Sequence, residues 1–280
     1  MIKLYKTGKD FLDENLSLIL SDPLGTIFFE VNANAIERCN ENSYAARVEC
    51  GDEVLIAIRL DGYPLVLSGS ERCVEEFAKV AWERKLQFDK VLGYYDLSDK
   101  FLTCYEQHAG GSHKVNLSMD VMYCDKVVPC DTSGVERATA DDVEEIARLY
   151  VAFLNEALRK NETWGGKIAE IAQEIDNYAL WRIDGEIVSM ASRKNSGSGL
   201  CRISNVFTKL QHRNKGYSRK IVTYLTERIR QNGDLPCLFV DKSNPVSNHL
   251  YRKIGYKYDK SRYEIDYIPD ENSNKLNTKI

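Results

Sequence analysis

The sequence predicts an α/β (α+β) protein built as two units, and three observations point there. Apolar residues recur at helical spacing in some segments and crowd into short β-rich runs in others. At 280 residues the chain is long for one average domain and comfortable for two. The pattern breaks at KVVPCDTSGVE, 126–136, where Pro129, Asp131, Ser133 and Gly134 interrupt it. The expected division is an N-terminal α/β domain at 1–130, a second domain at 134–268 and a polar, frayed tail at 269–280.

In the first unit, FLDENLSLILSDPL places Leu12, Leu16, Leu18, Ile19 and Leu20 on a broad apolar helix face. EVLIAIRLDGYPLVLSGS reads as strand-like runs around an Asp61–Gly62 turn. ERCVEEFAKVAWERKL, 71–86, sets Val74, Phe77, Ala78 and Ala81 on one face of a helix. HAGGSH, 108–113, lacks a following amphipathic helix and reads as a flexible surface loop ahead of a strand.

In the second unit, VERAT reads as a strand. Thr139 then precedes the amphipathic helix DDVEEIARLYVAFLNEAL, whose early acids suit the helix dipole. NETWGG, 161–166, reads as a loop and KIAEIAQEI as a second helix. NYALWRIDGEIVSMASRKN forms two strands turned at Asp184–Gly185, and GLCRISNVFT, 199–208, a third. SRKIVTYLTERIRQN is a helix, PCLFVDKSN a strand, SNHLYRKIGY a helix ending near Gly255, and YKYDKSRYEIDYI a closing strand pair.

Composition narrows the function classes. Apolar residues make up 43% and charged residues 29%, so a sizeable core can be buried. The net charge of −4 argues against a dedicated nucleic-acid binder, which usually shows a basic domain. None of the eight cysteines forms a C-x-x-C pair and the four histidines stand at no zinc spacing, so no metal is expected. The lysines of the N-terminus have no apolar run behind them, and runs such as VLIAI are too short to span a bilayer. The expectation is a cytoplasmic protein with reduced thiols and no membrane partner.

QHRNKGYSRK, 211–220, lies between a strand and a helix and concentrates His212, Arg213, Lys215, Arg219 and Lys220 around Gly216. A helix start offers unpaired N–H groups and partial positive charge, which suit an anion. Gly216 lets the backbone turn and approach a ligand, and Ser218 is small. On local evidence an anion cradle and a solvated helix start stand about even. Neither G-x-x-x-x-G-K-S/T nor G-x-G-x-x-G is present in a strand–helix context.

Joined to its surroundings, the segment resembles a known family. Arg213, Asn214, Lys215, Gly216, Tyr217 and Ser218 resemble the R/Q-x-x-G-x-G/A loop of the GNAT superfamily of acyl-CoA N-acyltransferases, with Ser218 in the place of the final Gly or Ala. Asn205-Val206-Phe207-Thr208 looks like the end of that family's fourth strand. The run from Asn244 to Tyr256 resembles its N-x-x-A-x-x-L-Y-x-x-x-G-F segment, with Ser247 for Ala and Tyr256 for Phe. The likeness covers 134–268, about half the chain. The N-terminal unit weakly resembles the degenerate GNAT-like domain of tandem members and lacks the loop, so it is expected to bind no coenzyme and to cover or shape the acceptor cleft; the alternative is an unrelated α/β domain.

The resemblance implies a mixed, mostly antiparallel GNAT-type sheet flanked by helices. It implies transfer of an acetyl group from acetyl-CoA to a primary amine of a small molecule or peptide, by a monomer or homodimer. Arg213, Asn214, Lys215, Gly216, Tyr217 and Ser218 would hold the pyrophosphate, with Arg219 nearby. Val206, Phe207 and Thr208 would border the pantetheine arm, Val206 and Thr208 offering backbone groups to it. Asn244 would bond the arm or simply cap its helix, and Tyr251 would be the general acid. No acid lies on 199–208, so the base is unassigned among Glu156, Asp241, Glu264 and water. Trp164 either borders the acceptor site or packs between helices, and His249 need not face the cleft. The alternative is an inactive coenzyme A-binding sensor or interaction module.

Overall fold

A computed structural model describes residues 1–39, 42–157 and 163–270. Residues 161–162 of the predicted loop, Leu158 at the predicted helix end and the tail from 271 lie outside them. The chain runs β1 (Ile2–Tyr5), α1 (Gly8–Ser21), α2 (Ile27–Ala35), β2 (Tyr44–Cys50), β3 (Glu53–Arg59), β4 (Leu65–Gly69), α3 (Val74–Glu83), β5 (Lys90–Gly93), α4 (Tyr95–Ala109) and β6 (Ser112–Tyr123). It then repeats the same order: β7 (Glu136–Arg137), α5 (Val143–Ala157), α6 (Ile168–Glu174), β8 (Tyr178–Ile183), β9 (Glu186–Gly197), β10 (Leu200–Thr208), α7 (Tyr217–Gln231), β11 (Leu235–Asp241), α8 (Pro245–Ile254) and β12 (Lys257–Ile268).

All twelve strands join one sheet, in the order β1-β2-β3-β4-β5-β12-β6-β11-β10-β9-β8-β7. Among the described residues only the β4–β5 and β10–β11 pairs run parallel; the rest are antiparallel. The order is a palindrome of the two halves about the β12–β6 pair. Each half lends its last strand to the other: β12 pairs with β5, and β6 pairs with β11. Packing follows the exchange. Ile265 of β12 is buried in the N-terminal core with Phe77 and Phe101, whereas Met122 of β6 is buried in the C-terminal core with Ile221, Leu238 and Tyr251.

Two expectations are corrected here. YKYDKSRYEIDYI is not a strand pair but the single strand β12, which carries no Gly or Pro to turn it and finds its partners in the other half of the chain. HAGGSH is not a flexible loop. It closes α4, turns at Gly110 and Gly111, both at positive φ, and starts β6. His113 is held there by Glu106 at 2.6 Å and Asp99 at 3.1 Å. The VERAT strand shrinks to Glu136–Arg137.

Both faces of the sheet are covered. In the C-terminal half, α7 and α8 bury one face with Ile203, Ile221, Val222, Leu238 and Val240. On the other face α5 and α6 cover Leu180, Ile187 and Met190. Beside them lies α2 of the N-terminal half, whose Ile27 and Phe28 pack on Leu200, Cys237 and Phe239. The N-terminal half thus forms one wall over β10 and β11.

Candidate acyl-transfer site

The site starts where β10 and β11 part. Their parallel ladder runs only through Leu200, Cys201 and Arg202, paired with Leu235, Pro236 and Cys237. Past Arg202 each strand continues without the other, β10 to Thr208 and β11 to Asp241. On its far side β10 stays paired with β9, with a bulge between Ser204 and Phe207. Asn205 takes φ +55° in the bulge, and its amide donates to Tyr178 Oη and Ser192 Oγ, both at 3.0 Å. Asn tolerates that backbone better than most residues. The result is a wedge whose β10 edge has backbone N–H and C=O groups free for an extended ligand.

At the wide end of the wedge the chain passes through Arg213–Gly216 into α7. Asn214 and Gly216 both have positive φ, +62° and +83°, and a Cβ at Gly216 would meet nothing within 4 Å. Open space therefore lies over the backbone there. No side chain caps α7 and its first turn holds no acid. Every other α-helix described has an acid in its first turn or a side-chain cap. Glu30, Glu75, Asp96, Glu144 and Glu170 serve α2 to α6, Asp10 with Thr7 serves α1, and Asn244 serves α8. The free amides of α7 meet Arg219 and Lys220 instead, which is unfavourable for the dipole unless an anion joins them.

The basic side chains divide by role. Arg213 Nε donates to Thr208 O at 2.9 Å and its guanidinium contacts the Glu156 carboxylate at 2.7 Å, so it braces the loop against strand end and helix. Lys220 pairs with Asp131 at 3.2 Å and lies over Trp181, on which Tyr217 stacks at 5.2 Å. Lys215 is exposed, and Arg219 buries an Nε with no hydrogen-bond partner. Ser218 is part-buried at the first turn.

The border of the wedge comes from both strands. Val206 packs toward the α7 side, whereas Phe207 packs toward α5 and α6. Thr208 Oγ1 and Ser189 Oγ are 2.7 Å apart. Beyond β11, Asn244 accepts from Ser247 N at 3.0 Å, so its carbonyl oxygen is spent as the cap of α8. Tyr251 is 7% exposed, meets Tyr256 edge-on at 6.0 Å, and makes no hydrogen bond among the described residues. Burial alone pushes its hydroxyl well above the usual tyrosine range, so it stays protonated at neutral pH.

Known proteins share the fold. A family model described as FR47-like protein matches residues 184–265, from the β8–β9 turn to β12. A UPF0039 protein of Schizosaccharomyces pombe is 26% identical over 128 residues, covering 46% of this chain and 85% of the relative. The GCN5-related N-acetyltransferase of Sphaerobacter thermophilus superposes with a TM-score of 0.63 at 16% identity, over 96% of this chain and 96% of that one. The chain carries a GNAT superfamily fold. A GNAT-family acetyltransferase of Colwellia psychrerythraea has a TM-score of 0.60 at 10% identity, over 96% of this chain and 100% of that one.

Within the GNAT fold, the three acids considered as bases are engaged elsewhere. Glu156 is the partner of Arg213. Asp241 Oδ1 accepts from Ser243 N at 2.8 Å and Oγ at 2.7 Å. Glu264 lies on β12 opposite Leu92 and takes bonds from Lys90 at 3.0 Å and Asn116 at 2.8 Å. Trp164 is 38% exposed and lies under the Arg148 guanidinium of α5 at 4.7 Å, and His249 is exposed. The N-terminal half has the same strand–helix junction but a different start to its helix. Ser70 caps Arg72 N, Glu71, Glu75 and Glu76 crowd the helix start, and a Cβ at Gly69 would meet Val54 O at 2.3 Å. That junction repels an anion and leaves little room for one.

Two polar groups on β10, Arg202 and Ser204, are missed by sequence reasoning. Nothing in their spacing marks them; only the parting of the strands and the arrival of α2 set them at the wedge. No group of three or more His, Cys, Asp or Glu among the described residues could hold a metal ion. No helix among them is long and apolar enough to cross a membrane.

Proposed function

We propose that the protein transfers an acetyl group from acetyl-CoA to a primary amine of a small molecule or peptide. The observation that carries this reading is the uncapped, acid-free start of α7 beside the open edge of β10. The amides of Tyr217, Ser218 and Arg219, with the open face of Gly216, hold the pyrophosphate. Lys215 and Arg219 supply charge, while Asn214 and Arg213 shape and brace the loop. The pantetheine arm adds to β10 as an extended strand along Val206, Phe207 and Thr208, and Asn244 offers its amide N–H groups from beyond β11.

The arm directs the thioester toward the narrow end of the wedge. The amine attacks the thioester carbonyl, a C–N bond forms and the C–S bond breaks. The proton of the attacking ammonium leaves to water, because Glu156, Asp241 and Glu264 are held elsewhere. The departing thiolate takes a proton from Tyr251, whose hydroxyl is protonated and makes no hydrogen bond among the described residues, and the second proton that the nitrogen sheds as the amide forms returns to the phenolate through water. With a free thiol near ~8.5 and a tyrosine near or above ~10, this contact is a hydrogen bond that matures into donation as charge develops. Holding amine and thioester together supplies much of the remaining rate.

Isothermal titration with acetyl-CoA, followed by thiol release over an amine panel, tests the reading. Failure to bind at millimolar acetyl-CoA overturns it. The engaged state of Glu156, Asp241 and Glu264 favours one second reading, a coenzyme A-binding module without catalysis. Binding without turnover on any amine would select it.

A further inference from the structure

Arg202 stands at the last paired position before β10 and β11 separate. Cys201 and Ile203 face the α7 side, so alternation turns Arg202 to the side of α2. Its guanidinium lies 5.2 Å from the Phe28 ring of α2 and 5.9 Å from the Phe239 ring of β11, which stack on each other at 5.4 Å. The side chain is part-buried, forms no ion pair among the described residues, and its Nε has no hydrogen-bond partner. Glu174, the acid that acts on it from α6, is already paired with Lys194 at 2.8 Å. Two residues on, the buried Ser204 Oγ of the same face is also without a partner.

A desolvated arginine usually has a carboxylate, because leaving the charge uncompensated is costly. Here aromatic rings flank the cation but no anion among the described residues meets its donors. From Thr208 to Arg202 the strand covers about 20 Å, so a coenzyme arm laid along β10 from the α7 end points its thioester at this position. Two unpaired polar groups thus face the region where the acceptor must sit.

We propose that the acceptor amine carries an oxyanion, a carboxylate or a phosphate, bound by Arg202 with Ser204 at the narrow end of the wedge. The inference rests on the N-acetyltransferase reading for the word acceptor, but the anion site itself is tested by binding. Arg202 is therefore a specificity residue. Its planar fork meets two oxygens, and the rings of Phe28 and Phe239 keep water from competing for the charge. The part played by α2 gives the N-terminal half a role in choosing the acceptor.

The test titrates matched pairs into protein saturated with coenzyme A: N-acetylglycine against N-acetylglycinamide, and N-acetyl-O-phosphoethanolamine against N-acetylethanolamine. At least one charged member should bind about 10- to 100-fold tighter than its neutral partner, and the pair that shows the gap distinguishes carboxylate from phosphate. Arg202→Gln should erase the gap and leave acetyl-CoA affinity unchanged, and Arg202→Lys should restore only part of it. Equal binding within both pairs by the unmodified protein overturns the proposal even if Arg202→Gln does not fold, as does a gap that survives in that variant. Turnover of the parent amines is scored separately, so absent turnover with a clear gap refutes the enzyme reading and keeps the anion site.

Discussion

Gly216→Ala is the sharpest probe of the coenzyme cradle, because Gly185→Ala supplies a matched control. Both glycines have φ +83°, and a Cβ at either would meet nothing within 4 Å. Alanine at each therefore carries the same left-handed strain, about 1–2 kcal/mol, with no added clash. Both variants should lose stability alike, lowering the melting temperature by about 2–4 °C for each kcal/mol. Binding should separate them. Gly185 turns β8 into β9, on the far side of β10 from the wedge, so its variant should bind acetyl-CoA normally. At Gly216 the new methyl enters the space over the α7 amides, where the phosphate must lie. Loss of one charge-assisted hydrogen bond is worth about 1.5–3 kcal/mol, which is about a 10- to 100-fold weaker Kd. Calorimetric titration with acetyl-CoA beside thermal melts reads both effects. If the two variants melt together and also bind alike, the cradle is not at Gly216 and the reading of the α7 start is wrong.

Three further outcomes follow from particular residues. Tyr251→Phe removes a hydroxyl that bonds nothing among the described residues, so acetyl-CoA affinity and melting temperature should hold while kcat falls about 100-fold or more; an unchanged kcat across pH would remove Tyr251 as the acid. Ile265→Ala should cost about 2–5 kcal/mol and, because β12 is shared, both halves should unfold in one transition by near-ultraviolet circular dichroism; a separate N-terminal transition would contradict the coupling. His113 is desolvated, which lowers its pKa, but its bonds to Glu106 and Asp99 outweigh this and raise it. Its charged form thus adds stability that is full below about pH 6.5 and fades as pH rises through the higher folded value. His113→Asn should flatten that fall in melting temperature; an unaltered slope would exclude the ion pairs as its source.

The elements of the second half are legible in the sequence because their signals are local. Apolar spacing places α5, α7 and α8, Asp184–Gly185 places a turn, and Gly255 places a helix end with φ +108°. In the first half α2 and α4 are harder to see, because α2 follows α1 without a long break and α4 leads into the two glycines of HAGGSH. The destination of the last strand is beyond local reading. Whether β12 turns back on itself or inserts between β5 and β6 depends on which edges stand open across the whole chain.

The same division runs through the site. The start of α7 is a matter of neighbours in sequence: a glycine that can take positive φ, a small residue two positions on, and no acid or cap to quiet the amides. The sequence by itself therefore determined the character of that helix start and, through its likeness to GNAT loops, the anion expected there. Tertiary structure decided the rest. It parted β10 from β11, it drew Arg213 to Thr208 and Glu156, and it buried Tyr251 against Tyr256. It also brought Phe28, from the opposite half of the chain, against Arg202. Helix starts are written within a few residues, whereas desolvation and the meeting of distant side chains exist only once the sheet has closed.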